Sequence, residues 1–253
     1  MKRIISLLSL LLLLLCVQAC GGVKRVTSVT GGVVRVNAQS QSAVSPLLLS
    51  VVEQGRAAVD SIRRPVLGEA KVDLVKRIPE SPLMNFAADA LLKMATECSG
   101  EAIDIALTNK GGLRSEISAG VVTFGDVYNV FPFENKLAVV TLSGEHLLQL
   151  CREIASVGGE AVSGLTIVMT SDGELVTASV AGEPIEPQRN YLVATSDYLS
   201  QGNDKMTALA LAVDCRVYDD ITIRDLMVRY VKELTAAGKK ISASCDGRIT
   251  IQD

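Results

Sequence analysis

The positions where helices must start, and the short apolar runs left between them, constrain this chain most. Ser45-Pro46 and Ser81-Pro82 each set a capping hydroxyl directly before a proline at the first helical position. Thr123-Phe124-Gly125-Asp126 reads as a capping box opening a short helix, and Thr222 with Asp225 starts another. Ser143 caps a further helix. Leu83, Phe86, Ala87, Ala90, Leu91 and Met94 recur at helical spacing, so helices are predicted over 46–64, 82–97, 143–155 and 222–237. Strands are predicted over 66–75, 102–108, 136–142 and 248–251. Three more lie within 162–195, divided by the turn-formers Ser171-Asp172-Gly173 and Gly182-Glu183-Pro184. These elements do not alternate as repeated βαβ units. The predicted class is therefore α+β, with layered helices and mixed sheets.

The first residues read as an export signal. Met1-Lys2-Arg3 is basic, Ile4 to Leu15 is almost wholly apolar, and the run ends in Val17-Gln18-Ala19-Cys20. A small residue directly before Cys at this place resembles the lipobox of bacterial lipoproteins, with Cys20 lipidated; the alternative is an ordinary signal peptide cleaved near Ala19. The expected organisation is a signal over 1–19, a small, polar tether over 20–44 and one domain over 45–253. The expected location is outside the cytoplasm, on a bacterial membrane and facing the periplasm. The leader inflates the 48% hydrophobic content, and the formal net charge of −3 offers no footprint for a polynucleotide. Cys98, Cys151, Cys215 and Cys245 could form disulfides in any of three pairings or remain thiols, and none stands in a C-x-x-C metal motif.

The chemistry is bounded by the one histidine, His146. A dinuclear phosphoesterase centre needs several His and Asp ligands, and no D-x-H or G-N-H-[ED] segment occurs. Behind Ser143-Gly144-Glu145, His146 reads as a solvated helix residue, and Ser143 as a cap rather than a nucleophile. No catalytic residue and no cofactor is expected in the chain itself. What remains is polar loops. Asn109-Lys110-Gly111-Gly112-Leu113-Arg114 could bring backbone and a guanidinium to a phosphate, or be a glycine turn with a solvated Arg. Phe131-Pro132-Phe133 could cap the core or, with Tyr198 on another loop, clamp a flat base. Asp204 could accept from sugar hydroxyls.

At these residues the chain resembles the C-terminal domain of the 5′-nucleotidase family. Glu80-Ser81-Pro82-Leu83-Met84-Asn85-Phe86-Ala87-Ala88-Asp89-Ala90 is similar to its E-S-x-x-G-N-x-x-x-D-A segment. Asn109 to Arg114 is similar to N-x-G-G-[IL]-R, and Gly125 to Asn135 to G-D-[VL]-x-x-x-x-P-F-x-N. Val193 to Asp204 resembles V-A-T-x-D-F-L-x-x-G-G-D. Order and spacing hold across 67–251. The resemblance implies a domain that binds a nucleoside or nucleoside monophosphate. Phe133 and Tyr198 would sandwich the base, Asn109 and Arg114 would meet sugar and phosphate, and Asp204 would hold the ribose. Arg77 would be a second phosphate-side arginine. The divalent metals and their chemistry would come from a separate metallophosphoesterase chain. The other reading is a binding or scaffolding lipoprotein whose pocket no longer takes nucleotides. The sequence departs from the pattern at Met84 and Lys205, where glycines are usual, at Asn203 in G-G-D, and at Tyr198, usually Phe.

Overall fold

The computed structural model describes residues 26–33 and 45–253; the expected signal, Cys20 and most of the tether lie outside the described residues. Two units divide between Val51 and Val52. In the first, residues 26–33 are exposed and in neither helix nor strand. Helix α1, Pro46–Arg63, buries none of its residues. No helix among the described residues is long and apolar enough to cross a membrane.

The second unit forms around a five-stranded sheet. After β1 (Val66–Ala70) come α2 (Pro82–Ser99), β2 (Ile105–Thr108), β3 (Gly120–Thr123) and α3 (Phe124–Val130). β4 (Lys136–Ser143), α4 (Gly144–Ser156), β5 (Ala161–Ser163), β6 (Leu165–Met169), β7 (Leu175–Val180) and β8 (Glu183–Pro184) follow. β9 (Asn190–Ser196), α5 (Asp197–Ser200), β10 (Asp214–Thr222), α6 (Ile223–Ala236) and β11 (Ile249–Ile251) complete it. The main sheet has the order β10-β4-β9-β2-β5. A second has β11-β6-β7-β8, and β1 pairs with β3 in a third. The fold is α+β, as predicted.

The interior of the main sheet is buried on both faces, which explains why β2 shows no alternation of apolar and polar residues. Ile105 and Leu107 enter the core beneath α4, with Leu147, Leu150 and Ile154; Ala106 between them enters the core beneath α2 and α6. β9 divides in the same way, Val193 to one core and Ala194 to the other. Four of the predicted caps are present. Ser81 accepts from the Met84 N–H and Ser143 from the His146 N–H, while Thr123/Asp126 and Thr222/Asp225 close reciprocal capping boxes.

Several expectations change. The strand predicted over 66–75 stops at Ala70, beyond which Leu74 makes only a single bridge, to Ile117. β3 and β10 were not predicted. Six residues of β10 are exposed, including Asp214, Arg216, Asp219 and Asp220, so no buried face marks it as a strand. The four cysteines of the described residues are free thiols. Burial pushes the Cys151 thiol up to about 12, so it stays protonated.

Candidate functional site

Three loops converge at the ends of β2, β4 and β9. The first begins where β2 runs out. Its Asn109 is buried, and residues Lys110–Gly112 form one 3₁₀ turn closed by the Gly112 N–H donating to the Asn109 carbonyl at 3.0 Å. A β-carbon at Gly112 would stand 2.7 Å from Asn109 Oδ1, so the close approach requires glycine here. The Lys110 side chain is committed to the segment after α4. Its Nζ donates to the carbonyls of Val157 (2.9 Å) and Gly159 (2.7 Å) and pairs with Glu160 at 3.0 Å. The Lys110 N–H also donates to Glu160. Burial holds the Glu160 carboxyl above its ordinary range, opposed by the Lys110 backbone and ammonium.

The second loop, after α3, separates its two aromatics. Phe131 is buried in the core, whereas Phe133 is 48% exposed. The Arg114 N–H donates to the Val130 carbonyl at 3.0 Å and ties the first loop to the second. The third loop follows β9, where Ser196 caps α5 and the Asp197 carboxylate accepts from the N–H groups of Lys136 and Tyr198, both at 2.9 Å. Asp204 and Lys205 then adopt left-handed backbone, φ 52° and 67°. Lys205 thus keeps the conformation that favours glycine at a position where the family pattern has one. Asp204 is held by Asn109 Nδ2 at 2.5 Å and by the Tyr198 hydroxyl at 2.9 Å. Donating that hydrogen bond raises the Tyr198 phenol above its ordinary value, so it remains a neutral donor at physiological pH.

Together the loops line a cleft of about 370 Å³ with Asn109, Gly111, Gly112, Arg114, Phe133, Asn135, Tyr198 and Asp204. Phe133 and Tyr198 do not stack on one another; the close ring pairs among the described residues are Phe86–Tyr230 and Phe124–Tyr128. The exposed Arg114 guanidinium makes one bond, to the Gly111 carbonyl at 3.3 Å, and no ion pair among the described residues. Five of the six residues predicted from sequence meet here.

Arg77 does not line the cleft. It is exposed, and its neighbour Lys76 is the residue that turns toward the first loop, donating to the Leu113 carbonyl at 2.7 Å. The paired glycines, expected to bring backbone close to a ligand, line the cleft; Asn135 lines it too although it was not singled out, being readable only as the last residue of its motif. His146 corrects another expectation. It is half-buried, with Nδ1 shielded and unbonded, because the helix turns it inward rather than to solvent. Among the described residues, no group of three or more His, Cys, Asp or Glu side chains is arranged to hold a metal ion.

Three loops thus surround a partly aromatic cleft on an α+β frame. The family model described as 5′-nucleotidase, C-terminal domain, matches residues 66–211, and the chain belongs to that family. A cell wall protein of Listeria monocytogenes is 28% identical over 228 residues, 79% of this chain and 29% of that protein. The trifunctional nucleotide phosphoesterase protein of Bacillus subtilis is 31% identical over 188 residues, 68% of this chain and 12% of that one. Among solved structures, a 5′-nucleotidase precursor from Thermus thermophilus superposes with TM-score 0.68 at 29% identity. That match covers 81% of this chain and 42% of the other. The chain spans less than half the length of each of these relatives.

Proposed function

We propose that the cleft binds a nucleoside or nucleoside monophosphate, as the substrate-holding half of a 5′-nucleotidase-type hydrolysis. The convergence of Asn109, Arg114, Phe133, Tyr198 and Asp204 on one cleft carries this reading. A base enters between Phe133 and Tyr198, a contact that accepts any base because each has a π-face. Each Asp204 oxygen accepts one bond from the protein and has lone pairs left for the ribose hydroxyls. Arg114, with its fork uncommitted to any acid, meets the phosphate bidentately.

Metal-dependent phosphate release belongs to a separate metallophosphoesterase chain in this proposal, because His146 alone cannot assemble the ligand set. Titration calorimetry tests the binding half. AMP and adenosine should both bind, and Arg114→Ala should weaken AMP about tenfold or more, on the order of 1.5–3 kcal/mol for a charge-assisted bond, while leaving adenosine nearly unchanged. The chain alone, supplied with Mn²⁺, should release no phosphate from AMP. No heat with any common mononucleotide would leave the other reading, a scaffolding lipoprotein. Export and lipid attachment at Cys20 belong to the same proposal, supported by the Val17-Gln18-Ala19-Cys20 register. Cys20→Ser should move the protein out of the membrane fraction, and unchanged membrane association would refute the attachment.

A further inference from the structure

A buried guanidinium stands behind the cleft without lining it. Arg224, the second residue of α6, is only 8% exposed. Its Nη1 donates to the carbonyls of Phe131 and Pro132, each at 3.3 Å, and its Nη2 pairs with Glu134. The adjacent Ile223 N–H donates to the Asn135 carbonyl at 2.9 Å. Of the turn from Phe131 to Asn135, only Phe133, the aromatic that lines the cleft, is not thereby bonded to the start of α6. The Arg224 guanidinium also lies 4.7 Å from the centre of the Tyr128 ring. Arg63, 5.9 Å from the same ring, donates to Asn129 at 2.8 Å. The turn is thus fixed from α6 and α3 together.

We propose that Arg224 is a positioning residue for base recognition, setting the Phe133 ring at the spacing from Tyr198 that a planar base requires. This rests on the nucleotide-binding reading above. Phe133 is half-exposed, so core packing alone does not define its ring; the carbonyls on its N-terminal side and the acid beside it do. A guanidinium suits the task because its planar fork serves two carbonyls and a carboxylate at once while one face rests on an aromatic ring. A lysine ammonium, a single point of charge, cannot hold all four. Burying a guanidinium whose carboxylate partner is 70% exposed is unfavourable unless its donors are otherwise used, and here the two loop carbonyls use them.

A double-mutant cycle on AMP and adenosine affinity, read by calorimetry, tests the assignment. Arg224→Lys should weaken both ligands by about tenfold and leave their ratio within about twofold, since the Arg114 contact is untouched. In a Phe133→Ala background the same Arg224→Lys change should alter affinity by less than about twofold, because the ring it positions is gone. An equal loss in both backgrounds, or a collapsed AMP-to-adenosine ratio, would assign Arg224 a general structural role and overturn the proposal. Unchanged affinity in Arg224→Lys would also overturn it. Should Arg224→Lys fail to fold, Glu134→Gln removes the exposed partner instead, and the same cycle should show a smaller, Phe133-dependent loss. Absence of binding by the unmutated chain would instead refute the nucleotide-binding reading itself.

Discussion

Lys110→Met is expected to cost the fold about 3 kcal/mol at neutral pH, the lower end of what removing one partner of a buried ion pair costs. The lower end applies because the Lys110 side chain keeps 25% of its exposure while Glu160 keeps 5%. Without the ammonium, the carbonyls of Val157 and Gly159 lose a donor, and the Glu160 carboxylate keeps only the Lys110 N–H. Burial already raises the Glu160 carboxyl, and loss of the cation raises it further. The sign follows from that direction. A folded-state pKa above the unfolded one gives stability that is complete below the unfolded value and is lost as pH rises through the folded value. The variant should therefore be weakest in mildly alkaline solution and recover part of its deficit on acidification, as the raised Glu160 carboxyl takes a proton. Urea unfolding at pH 8 and pH 5 measures this, and Lys110→Met combined with Glu160→Gln should restore much of the loss. A deficit independent of pH would show that the pair does not hold the loop in this way.

Phe133→Ala and Tyr198→Ala should each weaken AMP by roughly five- to a hundred-fold, from about 1–3 kcal/mol per base–aromatic stack. The two should differ in kind. Phe133 makes its contribution through its ring alone. Tyr198 also donates to Asp204, so its removal frees a carboxylate oxygen that the ribose must then satisfy. Tyr198→Phe separates the effects: stacking is retained and only the hydroxyl is lost. Its affinity for 2′-deoxyadenosine should stay near that of the unmutated chain, with any change confined to ribonucleosides. Calorimetry with both sugars checks this, and an Ala variant at either position that binds AMP normally would remove the base from between the two rings.

Local chemistry determined the parts of this protein that were legible from sequence. Ser81, Thr123, Ser143 and Thr222 cap their helices by bonds to residues three positions on, so residue type and spacing suffice to place them. The loop motifs likewise identified five residues that meet at the cleft. Only the tertiary structure decided which side chains of those motifs face it. Lys110 and Arg114 stand four residues apart, yet Lys110 is drawn away by Glu160, fifty positions along the chain, and Arg114 is left free. Phe131 and Phe133 flank one proline; the first fills the core and the second the cleft, in a turn fixed by Arg224 about ninety positions away. Arg77 stays exposed and off the cleft, while Lys76 beside it bonds to a loop more than thirty residues later. β10 stayed invisible because it is strand by pairing with β4 alone, with no buried face to leave a period of two in its residues. Caps and periods follow from energies within a few residues. The direction of a side chain in a loop depends on which distant donor or charge reaches it, and that is known only once the chain has closed upon itself.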